Sequence, residues 1–342
     1  MATPPFLGQG YIPSSGAITN ELNAVTRRAF IPKLVVQIYQ AAPLLSLMIR
    51  NAQRAAGGLN QVTIPIQNAQ LVNASWTDYS GGFPIPATQT AIQDAGWNLS
   101  ILVTPIPLLG TESATQSTEA VVPLIRARFS DAKTVMVQTL SSALFSRATV
   151  TTSNNTAING LPDIYDDGTN TATYGGISRS SVPQWKGGYY TSSITPGRAT
   201  MLTQLAATTY AAGGEEPDIV IMSPSDWATL MEDFLSQEQF RTDPTLRYGK
   251  DDSINAGFSC VMLANTPFLA DPFCPKGTAY IINTKYLSLF ISEWMNFAWS
   301  GWYSQIPNGQ LANIGVVLAG MALVCSKPSS GRQLSNVAGG QF

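Results

Sequence analysis

The residues of this chain that could do chemistry fall in a few short segments. Asp163-Ile164-Tyr165-Asp166-Asp167-Gly168 has the carboxylate density of a calcium loop. Aligning Gly168 with the loop's glycine puts Tyr165 and Tyr174 where oxygen ligands are required, so the segment reads as a plain polar turn. The pairs Glu215-Glu216 and Asp251-Asp252 offer acid and base together, yet both sit in Gly- or turn-flanked stretches and read as solvated loop charges. Gly249-Lys250 lacks the upstream glycine and the following Ser/Thr of a phosphate loop, and no GxSxG elbow occurs. Trp294, Phe297, Trp299, Trp302 and Tyr303 are dense enough to stack a sugar or a base. Their Ser/Gly-punctuated spacing fits core and interface packing better.

Histidine is absent, which removes the commonest general base, metal ligand and partner of a nucleophilic Ser or Cys. Cys260, Cys274 and Cys325 are odd in number and show no CxxC spacing. They read as small buried apolar residues of a reducing compartment, with no disulfide framework or zinc site. No catalytic residue, cofactor or metal is assigned from these segments.

Composition points toward association. The 342 residues, 44% of them hydrophobic, suffice for roughly two domains. Charged residues make up 12%, about half the usual share, so the surface suits a protein that hides much of itself against partners. Net charge is −2 and no Lys/Arg block appears, so the electrostatic footprint of a nucleic-acid binder is missing. If the protein surrounds DNA, it does so without gripping it. The N-terminus lacks the basic and apolar regions of a signal peptide, and the apolar run Ile314 to Cys325 is too short to span a bilayer. The expectation is a soluble protein with no membrane partner.

The elements that must carry these residues follow from hydrophobic period. Residues 1–18 are Pro/Gly/Ser-rich and read as extended. Ile31, Leu34, Val35, Ile38, Tyr39 and Ala42 share one helical face, with Pro32 in the first turn and Pro43 ending or kinking the element. From Leu59 to Leu109 the pattern turns to strand: Gln61–Ile66 and Trp97–Thr104 predict a long hairpin around an elaborate Gly/Pro/aromatic tip, Trp76–Pro84. An isolated two-stranded ribbon is marginal in water, so such an arm calls for a neighbouring subunit to cover it. Two strands of an ordinary sheet are the other reading. Val121, Ile125, Phe129, Ala132, Met136, Leu140 and Leu144 then predict a long helix over 115–148. Turn-rich residues 149–195 precede helical segments at 198–210 and 224–240, separated by a buried strand at 218–222. Further strands are expected at 259–263, 279–282, 287–291 and 313–325, before a Gly/Ser tail. No internal repeat is evident.

This order of features resembles the HK-ninety-seven-type (Johnson fold) major capsid proteins of tailed phages. The resemblance is carried by Phe30-Ile31-Pro32-Lys33-Leu34, Ala42-Pro43-Leu44 and Gly58-Leu59-Asn60-Gln61-Val62-Thr63-Ile64-Pro65, then the hairpin and the long helix. Asn159-Gly160-Leu161-Pro162-Asp163-Ile164, Gly175-Gly176-Ile177-Ser178-Arg179 and the strand–helix run Asp218 to Trp227 complete it. It covers about residues 18–327.

The resemblance implies an α+β capsid fold: an N-terminal arm (1–55), an extended β-hairpin loop (56–112), the spine helix of a peripheral domain (113–149), an axial domain (150–285), and a return to the peripheral domain with a C-terminal tail (286–342). It implies a non-enzymatic subunit that assembles with copies of itself as hexamers and pentamers into an icosahedral shell around double-stranded DNA, in a virion capsid assembled in the host cytoplasm. Scaffold and portal proteins, with decoration proteins optional, are the implied partners; about 18 residues precede the first arm helix, so any scaffold is expected as a separate chain unless this is a processed form. Contacts between subunits are expected at Leu34, Ile38, Tyr39, Trp76, Asp78, Tyr79, Phe83 and Trp97. Some relatives cross-link through a lysine on the extended loop; here no lysine lies between Lys33 and Lys133. An encapsulin-like nanocompartment shell, or a glycan-binding or hydrolytic β-rich protein using the Trp cluster and acidic pairs, remain alternatives.

Overall fold

A computed structural model describes residues 42–55, 61–67, 92–109, 118–148, 150–151, 154–155, 157–235, 260–305 and 312–337. The expected arm helix, the hairpin tip, and the pairs Gly249-Lys250 and Asp251-Asp252 lie outside these residues.

Among the described residues the chain begins with α1 (Pro43–Arg50), in which Pro43 occupies the first helical turn. A first-turn proline loses no helical hydrogen bond, so Pro43 opens this helix. Strand β1 (Gln53–Ala55) follows, then β2 (Gln61–Gln67), β3 (Ile92–Asn98) and β4 (Ser100–Leu109). The long helix α2 spans Thr118–Leu144, about 40 Å at 1.5 Å per residue. After it come two short ribbons, β5 (Val150–Thr151) with β6 (Asn154–Asn155) and β7 (Thr173–Tyr174) with β8 (Ile177–Ser178), and between them the one-turn helix α3 (Leu161–Ile164). The next elements are β9 (Gly188–Tyr190), α4 (Arg198–Ala211), β10 (Ile219–Met222) and α5 (Pro224–Leu235). The described chain closes with β11 (Cys260–Leu263), β12 (Thr266–Ala270), β13 (Thr278–Ile282), β14 (Leu287–Ser292), β15 (Ala298–Ser304), β16 (Ala312–Cys325) and β17 (Arg332–Ser335).

Two sheets organise the body. The first is built on β16, whose 14 residues pair with β4 along one edge and with β15 and then β14 along the other; β1 adds to β14 in parallel. Helix α2 lies against it. Ile125, Phe129, Ala132, Met136, Leu140 and Leu144, predicted on one face, are all buried. They share a core with Ile106 and Leu108 of β4 and Val317, Ala319 and Met321 of β16. Phe129 meets Trp299 at 5.3 Å between ring centroids, and Trp299 meets Trp302 edge-on at 5.3 Å. The aromatic cluster at 294–303 is thus mainly core: Phe297, Trp299 and Trp302 are buried, and only Trp294 among the tryptophans there is exposed. Gly315 is required by this packing, since a Cβ there would meet the Trp299 ring at 1.9 Å.

The second sheet runs β11-β12-β10-β13-β17-β9. Its central strands are buried on both faces, which explains why Ile219–Met222 reads as an unbroken apolar run. Ile219, Ile221, Tyr280 and Ile282 face the core shared with the first sheet. Val220, Met222, Ala279 and Ile281, on alternate positions, face a separate core closed by Met201 and Leu205 of α4 and Leu230 of α5.

Several placements depart from the sequence expectation, among them β12, which lies between β10 and β11. The second hairpin strand divides: Ile92–Asn98 pairs with β2, whereas Ser100–Leu109 pairs with β16 in the body. Strand β15 runs through the aromatic cluster. The C-terminal Gly/Ser region contains β17, which returns to the second sheet against β13.

Candidate assembly surfaces and the joint behind them

The hairpin β2–β3 is a sheet of two strands, paired from Gln61↔Asn98 to Gln67↔Ile92. Its base is held and its outer part is open. Val62, Ala95 and Trp97 are buried, Ile64 and Ile66 are half-buried, and Ile92, Gln93 and Asp94 are exposed. Ile92 presents 60% of its surface to solvent.

A second open surface lies on the first sheet. On β4 the side chains alternate, with Thr104, Ile106 and Leu108 buried toward α2 and Ile101, Val103, Pro105 and Pro107 exposed. Cross-strand partners share a face, so Val103, Pro105 and Pro107 stand beside the half-buried Leu318, Val316 and Ile314 of β16. Neither strand carries Asp, Glu, Lys or Arg. Contiguous exposed apolar surface of this kind marks an interaction site. Prolines also suit an edge strand, because they cannot donate to a further ladder.

Behind the hairpin is a joint built around Tyr174. The Trp97 ring packs on Tyr174 at 5.5 Å, and Tyr174 packs on Trp185 at 5.9 Å. Trp185 Nε1 donates to the Tyr174 carbonyl, and the Tyr174 hydroxyl accepts the backbone N–H of Cys325 at the end of β16. The Arg179 guanidinium lies 5.3 Å from the Tyr174 ring centroid. Gly96 donates its N–H to the Gly175 carbonyl at 3.0 Å.

Arg179 and two carboxylates extend the joint into a buried polar knot. Arg179 is fully buried and donates to the carbonyls of Asp163, Ile164, Thr171 and Trp185. Its Nη1 lies 3.8 Å from Asp166, and Arg147, just past α2, reaches Asp163 at 3.7 Å and Asp166 at 3.4 Å. Asp166 accepts hydrogen bonds from the backbones of Gly168, Asn170 and Thr171 and from the Asn170 side chain. Burial pushes the Asp166 carboxyl up, but these donors outweigh it and hold it below the usual carboxylate range. Asp163 accepts from Ala148 N–H and the Thr171 hydroxyl, yet burial prevails and its carboxyl stays above that range. The segment expected to be a plain polar turn is a buried clamp joining the end of α2 to the loop 163–185. Alternating Asp and hydroxyl residues signal a turn; nothing local signals that Arg147 and Arg179 fold onto it.

The remaining chemical candidates resolve similarly. Glu215 accepts from the Tyr286 hydroxyl at 2.7 Å and from Lys285 at 3.3 Å, and lies 3.6 Å from Lys327. Those partners, Tyr286 foremost, hold its carboxyl below its ordinary value. Cys274 and Cys325 are buried free thiols, and burial pushes both up to about 12. Of the expected contact residues, Leu34, Ile38, Tyr39, Trp76, Asp78, Tyr79 and Phe83 lie outside the described residues. Trp97 is 2% exposed and packs within its own chain.

With β16 at the centre, α2 across it, a hairpin standing off the body and a second sheet beyond, the architecture can be compared with solved structures. The chain in the cyanophage A-1(L) capsid superposes with a TM-score of 0.63 at 16% identity, covering 86% of this chain and 92% of that one. The fold is the HK-ninety-seven-type capsid fold. Two further matches are the SrpI encapsulin of Synechococcus elongatus (TM-score 0.53, 11% identity, 95% of this chain and 98% of that one) and the capsid of the native GTA particle (0.51, 11%, 86% and 91%). No family model matches the chain, and no curated protein does. At such identities the HK-ninety-seven fold is held by the pattern of apolar burial, with few residues in common.

Proposed function

We propose that this chain is a major capsid protein of the tailed-phage type, a structural subunit that assembles with itself into an icosahedral shell around double-stranded DNA. The observation that carries this reading is the hairpin β2–β3: two strands with no third strand from the described chain, half-open apolar side chains, and 24 further residues between them. A ribbon of this kind gains stability only when another surface covers it. The charge-free face of β4 and β16 is a complementary surface on the same fold.

In this reading residues 1–55 form the arm, 56–112 the extended loop except for β4, which belongs to the body, and 113–149 the spine. Residues 150–285 form the axial domain with β17 added to it, and the rest of 286–342 returns to the peripheral sheet. Leu34, Ile38, Tyr39, Trp76, Asp78, Tyr79 and Phe83 make contacts between copies in hexamers and pentamers. Scaffold, portal and any decoration proteins are separate chains, DNA is enclosed without sequence-specific contacts, and assembly takes place in the host cytoplasm.

Expression of the full chain, with electron microscopy of the purified product, tests this. Closed shells or ring-shaped capsomers are expected, and a monomer stable under all conditions overturns the reading. The encapsulin match over 95% of this chain favours a second reading, a protein-filled nanocompartment. Co-purification of a cargo enzyme in place of DNA identifies that case.

A further inference from the structure

The joint at Tyr174 does more than fill space. Trp97 is the second-last residue of β3, with only Asn98 and Leu99 between it and the start of β4. Tyr174 packs tilted against the Trp97 ring, Gly175 approaches it closely, and the Gly96 N–H ties the strand to the Gly175 carbonyl.

The fit at Gly175 is demanding. Its φ of +58° lies in the left-handed region, and a Cβ there would stand 2.8 Å from the Trp97 ring and 3.2 Å from Ala95. Tyr174 is in turn fixed by Cys325 N–H, Trp185 and Arg179, so the socket is anchored to β16 and to the clamp at the end of α2. A side chain locked to rigid elements at the root of a ribbon determines the direction in which the ribbon leaves.

We propose that Trp97, packed against Tyr174 and Gly175, is a positioning residue that sets the angle of the hairpin against the body, and through it the curvature at which copies join. This rests on the shell reading, because the angle matters only where the hairpin spans to another copy. A ribbon with the same pairing but a loosened root would sample a range of directions, and a shell of one diameter needs one direction.

The full chain and three variants, Trp97→Ala, Trp97→Phe and Gly175→Ala, are compared by hydrogen exchange of capsomers and by electron microscopy of shells. In Trp97→Ala and Gly175→Ala, exchange at residues 92–98 is expected to rise about tenfold while α2 and β10 keep their protection. Shells from these two are expected to be open or of mixed diameter, and Trp97→Phe is expected to restore part of the wild-type uniformity. Shells of wild-type diameter from both Trp97→Ala and Gly175→Ala overturn the proposal. Should Trp97→Ala lose protection throughout, Gly175→Ala and Trp97→Phe decide, and wild-type shells from both overturn it. Should the wild-type chain form no shell, the capsid reading fails on its own; the joint is then judged by exchange at 92–98, where no local rise in Gly175→Ala overturns it.

Discussion

At the scale of single residues, Arg179 is a fully buried charge held by backbone oxygens. It donates to four backbone carbonyls and faces Asp166, all without exposure to water. Removing one partner from such a set leaves the other charges buried and uncompensated, so Arg179→Ala is expected to cost about 3–5 kcal/mol, measured as the denaturant midpoint of unassembled chain. Arg179→Lys is expected to recover little, because an ammonium cannot reproduce the guanidinium fork. The carboxylates make a second prediction. Burial holds Asp163, Asp226 and Asp271 above their ordinary values. The folded chain therefore binds their protons more tightly than the unfolded chain, and their contribution to stability falls as pH rises through the folded values. Asp166 and Glu215 have the opposite sign. Their stabilisation is present above the ordinary carboxylate range and is lost as pH falls through their lowered folded values. Denaturant midpoints should rise from neutral to mildly acidic pH and drop at still lower pH. A midpoint that only declines below pH 7 would show that burial of the three raised carboxyls is relieved in solution.

At the scale of elements, the long helix was legible because its burial is periodic. Every described residue of the predicted stripe is buried, and Thr134 on the opposite face is exposed. Phe129→Ala should cost about 3–5 kcal/mol through the cavity left beside Trp299, whereas Thr134→Ala should stay within about 0.5 kcal/mol; thermal or chemical denaturation distinguishes the two. Strands β10 and β16 were legible as apolar runs. Strands β12, β15 and β17 were not. Ala298–Ser304 contains a glycine and reads as an aromatic cluster, and Arg332-Gln333-Leu334-Ser335 has no apolar alternation of its own. Strands β15 and β17 form because β16 and β13 offer them an edge, and β12 forms between β10 and β11. The division of the hairpin strand at Leu99 was hidden for the same reason: residues on both sides of it favour extended backbone, and only the partner changes.

At the scale of the whole molecule, a chain of low charge with an open hairpin and an uncharged sheet face is built to be covered. No lysine lies between Lys33 and Lys133, so the loop has no amine with which to form an isopeptide bond. Assembled particles, denatured and run on a gel, should show single-chain bands alone, and a ladder of covalent oligomers would contradict assembly by burial and strand contacts. The sequence by itself determined what depends on nearest neighbours along the chain: the periods of α2, β10 and β16, the absence of histidine chemistry, and the hairpin's two runs with their turn-rich tip. Tertiary structure alone decided which strands share an edge, that Asp163 and Asp166 are clamped by Arg147 and Arg179, and that Trp97 faces Tyr174 of its own chain. The physical reason is that burial and pairing are properties of two segments brought together. A residue type records that a side chain needs cover, and only the fold supplies the atoms that give it.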